Sequence, residues 1–279
     1  MAPTQYQHVY PLENEEEVGR LRNQHDVIKD AMDGLLILAP VDLSTSPLRI
    51  LDSGTADGTW IRDLAATCAS LEHRFYGTDI NPTDFPANPP EGTVYQIQDV
   101  NKPWPADWKE SFDFVHQRLV LVAAGSTQRE ALQSLGELVK PGGWIQLIEA
   151  TNVLPEDSGP VMHSFVKVMN AVFDVMGADL AVTEKIPQWL EEAGFVDVHE
   201  KTVPMNLGAV NRDPTLASRG VFSTSAAATG LSKFAKTLPA GAAGMPIEKL
   251  DTLGADLQGE LMKLGAVYPL RVVWGRKAT

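Results

Sequence analysis

The sequence is poor in cysteine and in basic residues, and it has no long apolar run. Cys68 is the only cysteine among 279 residues, which excludes an internal disulfide and a cysteine-rich metal site. Lysine and arginine number 23 against 36 aspartates and glutamates, and the formal net charge of −13 argues against nucleic acid or an anionic membrane surface as a partner. No stretch is apolar enough to span a bilayer, and the N-terminus does not read as a signal peptide. We therefore expect a cytoplasmic protein that binds neither nucleic acid nor membrane.

Short apolar runs alternate with segments of helical spacing along the chain. The runs predict strands at 49–51, 73–79, 94–99, 112–116, 144–149, 196–199 and 267–274. Helical spacing predicts helices at 13–38, from residue 60, at 128–139 closed by the turn 140–143, at 159–177, at 183–192 and through residue 261. Strands separated by helices indicate a parallel, doubly wound α/β sheet. The 44% hydrophobic content suits one large domain with added segments.

The stretch RILDSGTADGTW joins the first strand to the helix that follows it. Gly54, Ala56 and Gly58 alternate in this turn. Such a turn is expected to aim free backbone N–H groups at a ligand and to let that ligand approach the main chain closely. A dinucleotide fingerprint would place its third glycine one position later, where Thr59 stands. The spacing therefore favours a nucleoside cofactor without a pyrophosphate, such as S-adenosylmethionine (SAM).

Acidic residues stand at the predicted ends of the first three strands, at the edge where open α/β sheets bind ligands. Asp79, which ends the second strand, can accept hydrogen bonds from both ribose hydroxyls, and Asp99, which ends the third, can meet the adenine amino group. The predicted cofactor-binding residues are Asp52, Gly54, Ala56, Gly58, Asp79, Ile80, Asp99, Val100 and His116.

Five segments together carry a family resemblance: Glu17, Leu21, Gln24 and His25 in the N-terminal helix, then 51–60, 77–82, 99–104 and 112–118. They resemble the class I SAM-dependent methyltransferases and, more narrowly, the fungal LaeA-type methyltransferases of secondary metabolism. The resemblance implies a Rossmann-like seven-stranded sheet, mostly parallel with an antiparallel last strand. It also implies SAM as cofactor and S-adenosylhomocysteine as product. Two residues depart from the family pattern, Ala56 at a position that is usually glycine and Asp57 beside a carboxylate-bearing ligand.

The implied reaction moves a methyl group to a nitrogen or oxygen of a small metabolite, for example a diketopiperazine amide nitrogen or a polyketide phenol. This in-line displacement needs no metal, but the acceptor atom must lose a proton. His116 and His25 are the candidate bases, and a structural role is the alternative for each. The predicted acceptor-binding residues are Gln24, His25, Glu149, Met162, Phe165 and Met169, of which the Met and Phe stripe equally suits a core.

We predict four segments along the chain. They are an N-terminal helical lid (1–46), a SAM-binding core (47–155), a helical substrate insertion (156–182), and the rest of the core with a helical insertion between the last two strands (183–279). Two other functions stay open: a SAM-binding protein that catalyses a rearrangement, and a LaeA-type regulator that acts through protein partners. The expected partner is a small-molecule acceptor, and a homodimer is also left open.

Overall fold

The computed structural model describes residues 14–68, 72–239 and 241–279. The strands are β1 (Arg49–Ser53), β2 (Arg74–Asp79), β3 (Thr93–Ile97), β4 (Phe112–Arg118), β5 (Val139–Ala150), β6 (Phe195–Leu207) and β7 (Ala266–Lys277). The α-helices are α1 (Asn14–Ala31), α2 (Thr59–Thr67), α3 (Gln128–Gly136), α4 (Pro160–Val175), α5 (Val182–Glu192), α6 (Pro214–Ala235) and α7 (Ile247–Lys263). Among the described residues, no helix is both long and apolar enough to cross a membrane.

The seven strands form one sheet in the order β3-β2-β1-β4-β5-β7-β6. β1 to β5 pair in parallel, and β7 runs antiparallel to β5. This order confirms the predicted Rossmann-like sheet. The strand order reverses between β1 and β4, which is the point where open α/β sheets place their ligands.

The chain divides into two compact units. The first, the sheet unit, comprises 29–151, 176–204 and 269–279; the second, the helical unit, comprises 152–175, 205–268 and the described residues up to 28. The four-segment division proposed from the sequence stays a prediction.

The sheet unit is held together by apolar side chains on both faces of the sheet. Alternate residues of a strand point to opposite faces. Leu51 and Val115 belong to one buried cluster, whereas their neighbours Ile50 and Phe114 belong to another. Helices that cover both faces therefore explain why the central strands read as continuous apolar runs.

The helical unit contains α4, α6 and α7, and one acidic side chain ties two of them together. The carboxylate of Glu260 on α7 accepts hydrogen bonds from the backbone N–H groups of Val161 (2.9 Å) and Met162 (2.7 Å). These N–H groups lie in the first turn of α4, where a helix has no partners of its own for them. Glu260 thus acts as the N-terminal cap of α4.

Besides shifted strand ends, of which that of β6 is the largest (Phe195–Leu207 against the predicted 196–199), three elements differ from the sequence prediction. α1 ends at Ala31 because Asp33 and Gly34 adopt positive φ angles of 58° and 80°. Residues 140–143 form a bulge inside β5 rather than a turn after α3. Phe112 pairs with Val139 and Phe114 with Trp144, which leaves extra residues on β5.

The third difference is α6, which has no counterpart among the helices predicted from the sequence. Its many Ala, Gly, Ser and Thr residues weaken the apolar stripe that marks a helix. Its start does carry a signal, because Asp213 precedes Pro214 and its carboxylate accepts the N–H groups of Thr215 (2.7 Å) and Leu216 (3.1 Å).

Candidate active site

The turn between β1 and α2 has a left-handed backbone at three positions. Gly54, Ala56 and Gly58 have φ angles of 74°, 48° and 72°. A side chain disfavours this conformation by about 1–2 kcal/mol per residue, so glycine suits all three positions. Ala56 adopts the conformation despite its methyl group, at a cost in free energy. The positive φ at Ala56 is a conformation that glycine adopts without this cost.

Most N–H groups of this turn already donate within the chain. The acceptors are the Thr78 carbonyl for Gly54 (2.7 Å) and Thr55 (2.9 Å), Asp79 Oδ2 for Ala56 (2.9 Å), the Thr55 carbonyl for Gly58 (2.9 Å) and Asp57 Oδ1 for Thr59 (3.1 Å). The expectation of free N–H groups aimed at a ligand is therefore wrong for these five positions. The bonds instead fix the shape of the turn.

The two glycines of the turn make room for side chains of the chain itself. A Cβ on Gly54 would lie 2.2 Å from Cγ2 of Val120, and one on Gly58 would lie 2.0 Å from Oη of Tyr95. The sequence alone does not single out Val120 and Tyr95, because Val120 follows β4 and Tyr95 lies on β3, and only the fold brings them to the turn. Glycine is thus required at these two positions because side chains of the same chain lie against the backbone there.

Asp57, the second departure from the family pattern, is engaged at the start of α2. Its Oδ1 accepts from the N–H (3.1 Å) and hydroxyl (2.6 Å) of Thr59, and its Oδ2 pairs with Arg62 at 3.0 Å. A carboxylate here is favourable because the N-terminus of a helix carries partial positive charge. Asp57 therefore serves the helix start and is paired with a cation.

Asp52 and His116 form a buried pair on adjacent strands. The β1–β4 register places them side by side, and Nδ1 of His116 lies 2.8 Å from Oδ1 of Asp52. The His116 ring stacks on Trp60 with centroids 4.0 Å apart and planes 3° apart. Burial lowers the pKa of His116, although the bond to Asp52 opposes the shift. Its Nε2 is buried without a hydrogen-bond partner among the described residues.

Asp79 ends β2 directly beside the turn. Its Oδ2 accepts from the N–H of Ala56 (2.9 Å) and its Oδ1 from that of Asn81 (3.0 Å). Burial raises the pKa of Asp79, and these N–H groups counteract the rise. Ile80, the next residue, leaves 45% of its surface exposed. Two residues past β3, Asp99 accepts from the N–H of Asn101 (2.9 Å).

Glu149 lies near the end of β5 and is only 2% exposed. Its Oε1 accepts from the N–H groups of Val120 (3.0 Å) and Leu121 (2.8 Å). Burial raises the pKa of Glu149 to about 7, against the effect of these two bonds. The carboxyl group therefore anchors the segment that follows β4, and the same segment places Val120 against Gly54.

The other predicted site residues belong to the helical unit. On α1, His25 is buried and Gln24 is half-buried. On α4, Met162, Phe165 and Met169 are all buried, and Sδ of Met169 lies 3.8 Å from the hydroxyl of Tyr268. Their roles with an acceptor stay predictions.

The hydrogen-bonding groups at the carboxyl edge of the sheet unit fit SAM. Each of Asp79 and Asp99 has one or both carboxylate oxygens engaged by N–H groups, and a carboxylate offers about four acceptor positions. Acceptors therefore remain for ribose hydroxyls and for an adenine amino group. The exposed side chain of Ile80 supplies an apolar surface for a base. The buried hydroxyl of Thr55 also lacks a partner among the described residues.

Comparison with known proteins agrees with this geometry. The methyltransferase domain family matches residues 23–200. The N-methyltransferase gliN of Aspergillus fumigatus is 35% identical over 269 residues, which cover 94% of each chain. The N-methyltransferase sirN of Leptosphaeria maculans is 37% identical over 267 residues, covering 94% of this chain and 92% of the relative.

A solved structure shows the same fold at low identity. Phosphoethanolamine N-methyltransferase 2 of Haemonchus contortus, in complex with S-adenosylhomocysteine, aligns with a TM-score of 0.51 and 14% identity. The alignment covers 93% of this chain and 53% of that one. Family match, full-length relatives and fold together lead to one conclusion. The chain belongs to the class I methyltransferase family and is a SAM-dependent methyltransferase.

Proposed function

We propose that this methyltransferase methylates a nitrogen of a small secondary metabolite, with the amide nitrogen of a diketopiperazine as the leading example. The observation that carries the proposal is the similarity, over more than nine-tenths of the chain, to relatives from three fungi that are named N-methyltransferases, at 35–37% identity. An oxygen such as that of a polyketide phenol is the alternative acceptor atom. The nitrogen is favoured because those relatives share it.

The residues that would hold the cofactor lie along the carboxyl edge of β1, β2 and β3. Asp79 would accept from the ribose hydroxyls, and Asp99 with Val100 would meet the adenine, whose flat face suits the exposed side chain of Ile80. When bound, SAM supplies a methyl group on a positively charged sulfur that is open to in-line displacement. The turn would support the cofactor with a rigid backbone, because most of its N–H groups are hydrogen-bonded within the chain.

His116 is the proposed base for the acceptor's proton. When Nδ1 of His116 carries the proton, it donates to Oδ1 of Asp52, and the lone pair of Nε2 is left to accept a proton. The pKa of the ring is lowered by burial, so the ring is neutral at physiological pH. An amide nitrogen is a poor nucleophile while it keeps its proton, and a positioned base typically contributes about 10²–10⁴-fold. His25 is the second candidate.

The acceptor would be recognised by the remaining predicted residues. Because the pKa of Glu149 is about 7, a large fraction of this carboxyl group keeps its proton at neutral pH and can donate a hydrogen bond to a carbonyl oxygen. Gln24 and His25 would add polar contacts. The proposed apolar contacts are those of Met162, Phe165 and Met169.

The test is a methylation assay with SAM that carries a deuterated methyl group. The acceptors are a cyclic dipeptide with free amide N–H groups, its N,N′-dimethylated form as the blocked control, and a simple phenol. The proposal expects a mass gain of one labelled methyl on the cyclic dipeptide alone, located on nitrogen by NMR. Methylation of the phenol alone would refute the nitrogen assignment, and transfer to the blocked dipeptide would refute the amide as acceptor.

We also propose that the chain is of the LaeA type, on the basis of the five sequence segments that resemble that family. A cytoplasmic location is proposed from composition alone. A homodimer stays open.

A further inference from the structure

Five N–H groups of the glycine turn are not available to the carboxylate of the cofactor's methionine half. The N–H groups of residues 54, 55, 56, 58 and 59 already donate to acceptors of the chain. The start of α2, which would otherwise attract an anion, already holds the carboxylate of Asp57. An anion that arrives here therefore needs a positive charge from another element.

The charges around the turn make this need stronger. Asp52 and Asp57 are both buried beside it, and Asp79 is half-buried. Three carboxylates repel a fourth at close range, and more so in a partly buried site than in water. Arg62, the cation on α2, is committed to Asp57 through Oδ2 (3.0 Å) and the backbone carbonyl.

The sheet register brings one further cation to this edge. Asp52 pairs with His116 and Ser53 with Gln117, so Arg118 ends β4 at the level of Gly54. Side chains two apart on a strand point to the same face, which puts Arg118 on the face of His116 and Asp52. Burial lowers the pKa of Arg118 and the charge of Asp52 opposes the shift, as expected for neighbouring groups.

We infer that Arg118 binds the carboxylate of the methionine half of SAM, at the carboxyl edge between β1 and β4. This rests on the proposed use of SAM by this edge of the sheet. A guanidinium suits the task because its donors match both oxygens of a carboxylate. Asp52, on the same face, is placed to bind the ammonium group of the same amino acid moiety.

The inference is tested by calorimetric titration with two ligands that differ only in this carboxylate: SAM and decarboxylated SAM. The wild-type chain is expected to bind SAM about 10- to 100-fold more tightly, the usual effect of a charge-assisted hydrogen bond. Arg118→Met should lose that factor for SAM and bind decarboxylated SAM as before. Arg118→Lys should keep part of the preference.

The matched control is Arg74→Met, which removes the same charge from an exposed position at the opposite end of β2. It should leave both affinities unchanged. Equal losses for both ligands in Arg118→Met, or a wild-type chain without preference for SAM, would overturn the inference. If Arg118→Met fails to fold, Arg118→Lys tests the same residue, since lysine keeps the charge but loses the paired donors of the guanidinium; a preference for SAM equal to that of the wild type would then overturn the inference. A wild-type chain that binds neither ligand would overturn the proposed function itself.

Discussion

Glu149 makes the stability of this protein depend on pH in a direction opposite to that of most carboxylates. Its pKa is about 7 in the folded chain, because burial disfavours the charged form, against an ordinary value of 4.5. The folded state thus holds the proton more tightly than the unfolded state does. Its contribution to the free energy of unfolding is greatest below pH 4.5 and is lost as the pH rises through about 7.

The size of the effect follows from the two pKa values. One pKa unit corresponds to about 1.4 kcal/mol, so the difference amounts to about 3 kcal/mol of stability lost between pH 4.5 and pH 8. Glu149→Gln keeps an acceptor oxygen for the N–H groups of Val120 and Leu121 but carries no charge. The variant should exceed the stability of the wild type by less than about 1 kcal/mol at pH 5 and by about 3 kcal/mol at pH 8.

Urea unfolding at pH 5, 6, 7 and 8 measures this difference. Comparing variant with wild type at each pH cancels the general repulsion of a chain with net charge −13. Glu91→Gln, which removes an exposed carboxylate before β3, is the matched control and should parallel the wild type. Parallel curves for Glu149→Gln and wild type would refute the argument that burial sets the pKa of this group.

Three further predictions concern the turn and its neighbours. Asp79→Asn should lower SAM affinity about 100-fold and should cost about 1–2 kcal/mol of stability, because it keeps only one of the two oxygens that accept from Ala56 and Asn81. An unchanged dissociation constant in calorimetry would exclude its role with the ribose. His116→Ala should lower the free energy of unfolding by about 3 kcal/mol, as measured with urea, because the stacking on Trp60 is lost and Asp52 loses its partner. It should also lower turnover at saturating SAM, and full turnover would exclude His116 as the base. Gly58→Ala should cost about 2–3 kcal/mol because of its positive φ and the contact with Tyr95, whereas Gly19→Ala, in open space on α1, should not destabilise. Equal unfolding curves for the two glycine variants would contradict that contact.

The sheet could be predicted from the sequence because its signals are local. Apolar runs, the Gly54–Gly58 turn and the acids that follow the strands each lie within a few residues. The pairing of Asp52 with His116 follows once β1 and β4 are placed side by side.

Other features of the site depend on residues far apart in the chain. Nothing near Gly58 in the sequence indicates that Tyr95 lies against it, and nothing near Gly54 indicates Val120. The loss of free N–H groups in the turn likewise depends on Thr78 and Asp79, which belong to β2. A local pattern shows where a turn forms, but not which of its N–H groups are hydrogen-bonded to other parts of the fold.

Helical spacing also left one ambiguity that burial alone does not resolve. The stripe of Met162, Phe165 and Met169 has the same period whether it lines a pocket or a core, and all three side chains are buried. α6 shows the reverse case, since small residues pack well but give no periodic signal.

The central claim is that the edge formed by Gly54, Asp79 and Asp99 is a SAM site. Titration of the purified chain with SAM, S-adenosylhomocysteine and NAD in a calorimeter tests it most directly. We predict micromolar or tighter binding of the two sulfur ligands and none of NAD. Binding of NAD, or of neither sulfur ligand, would contradict it.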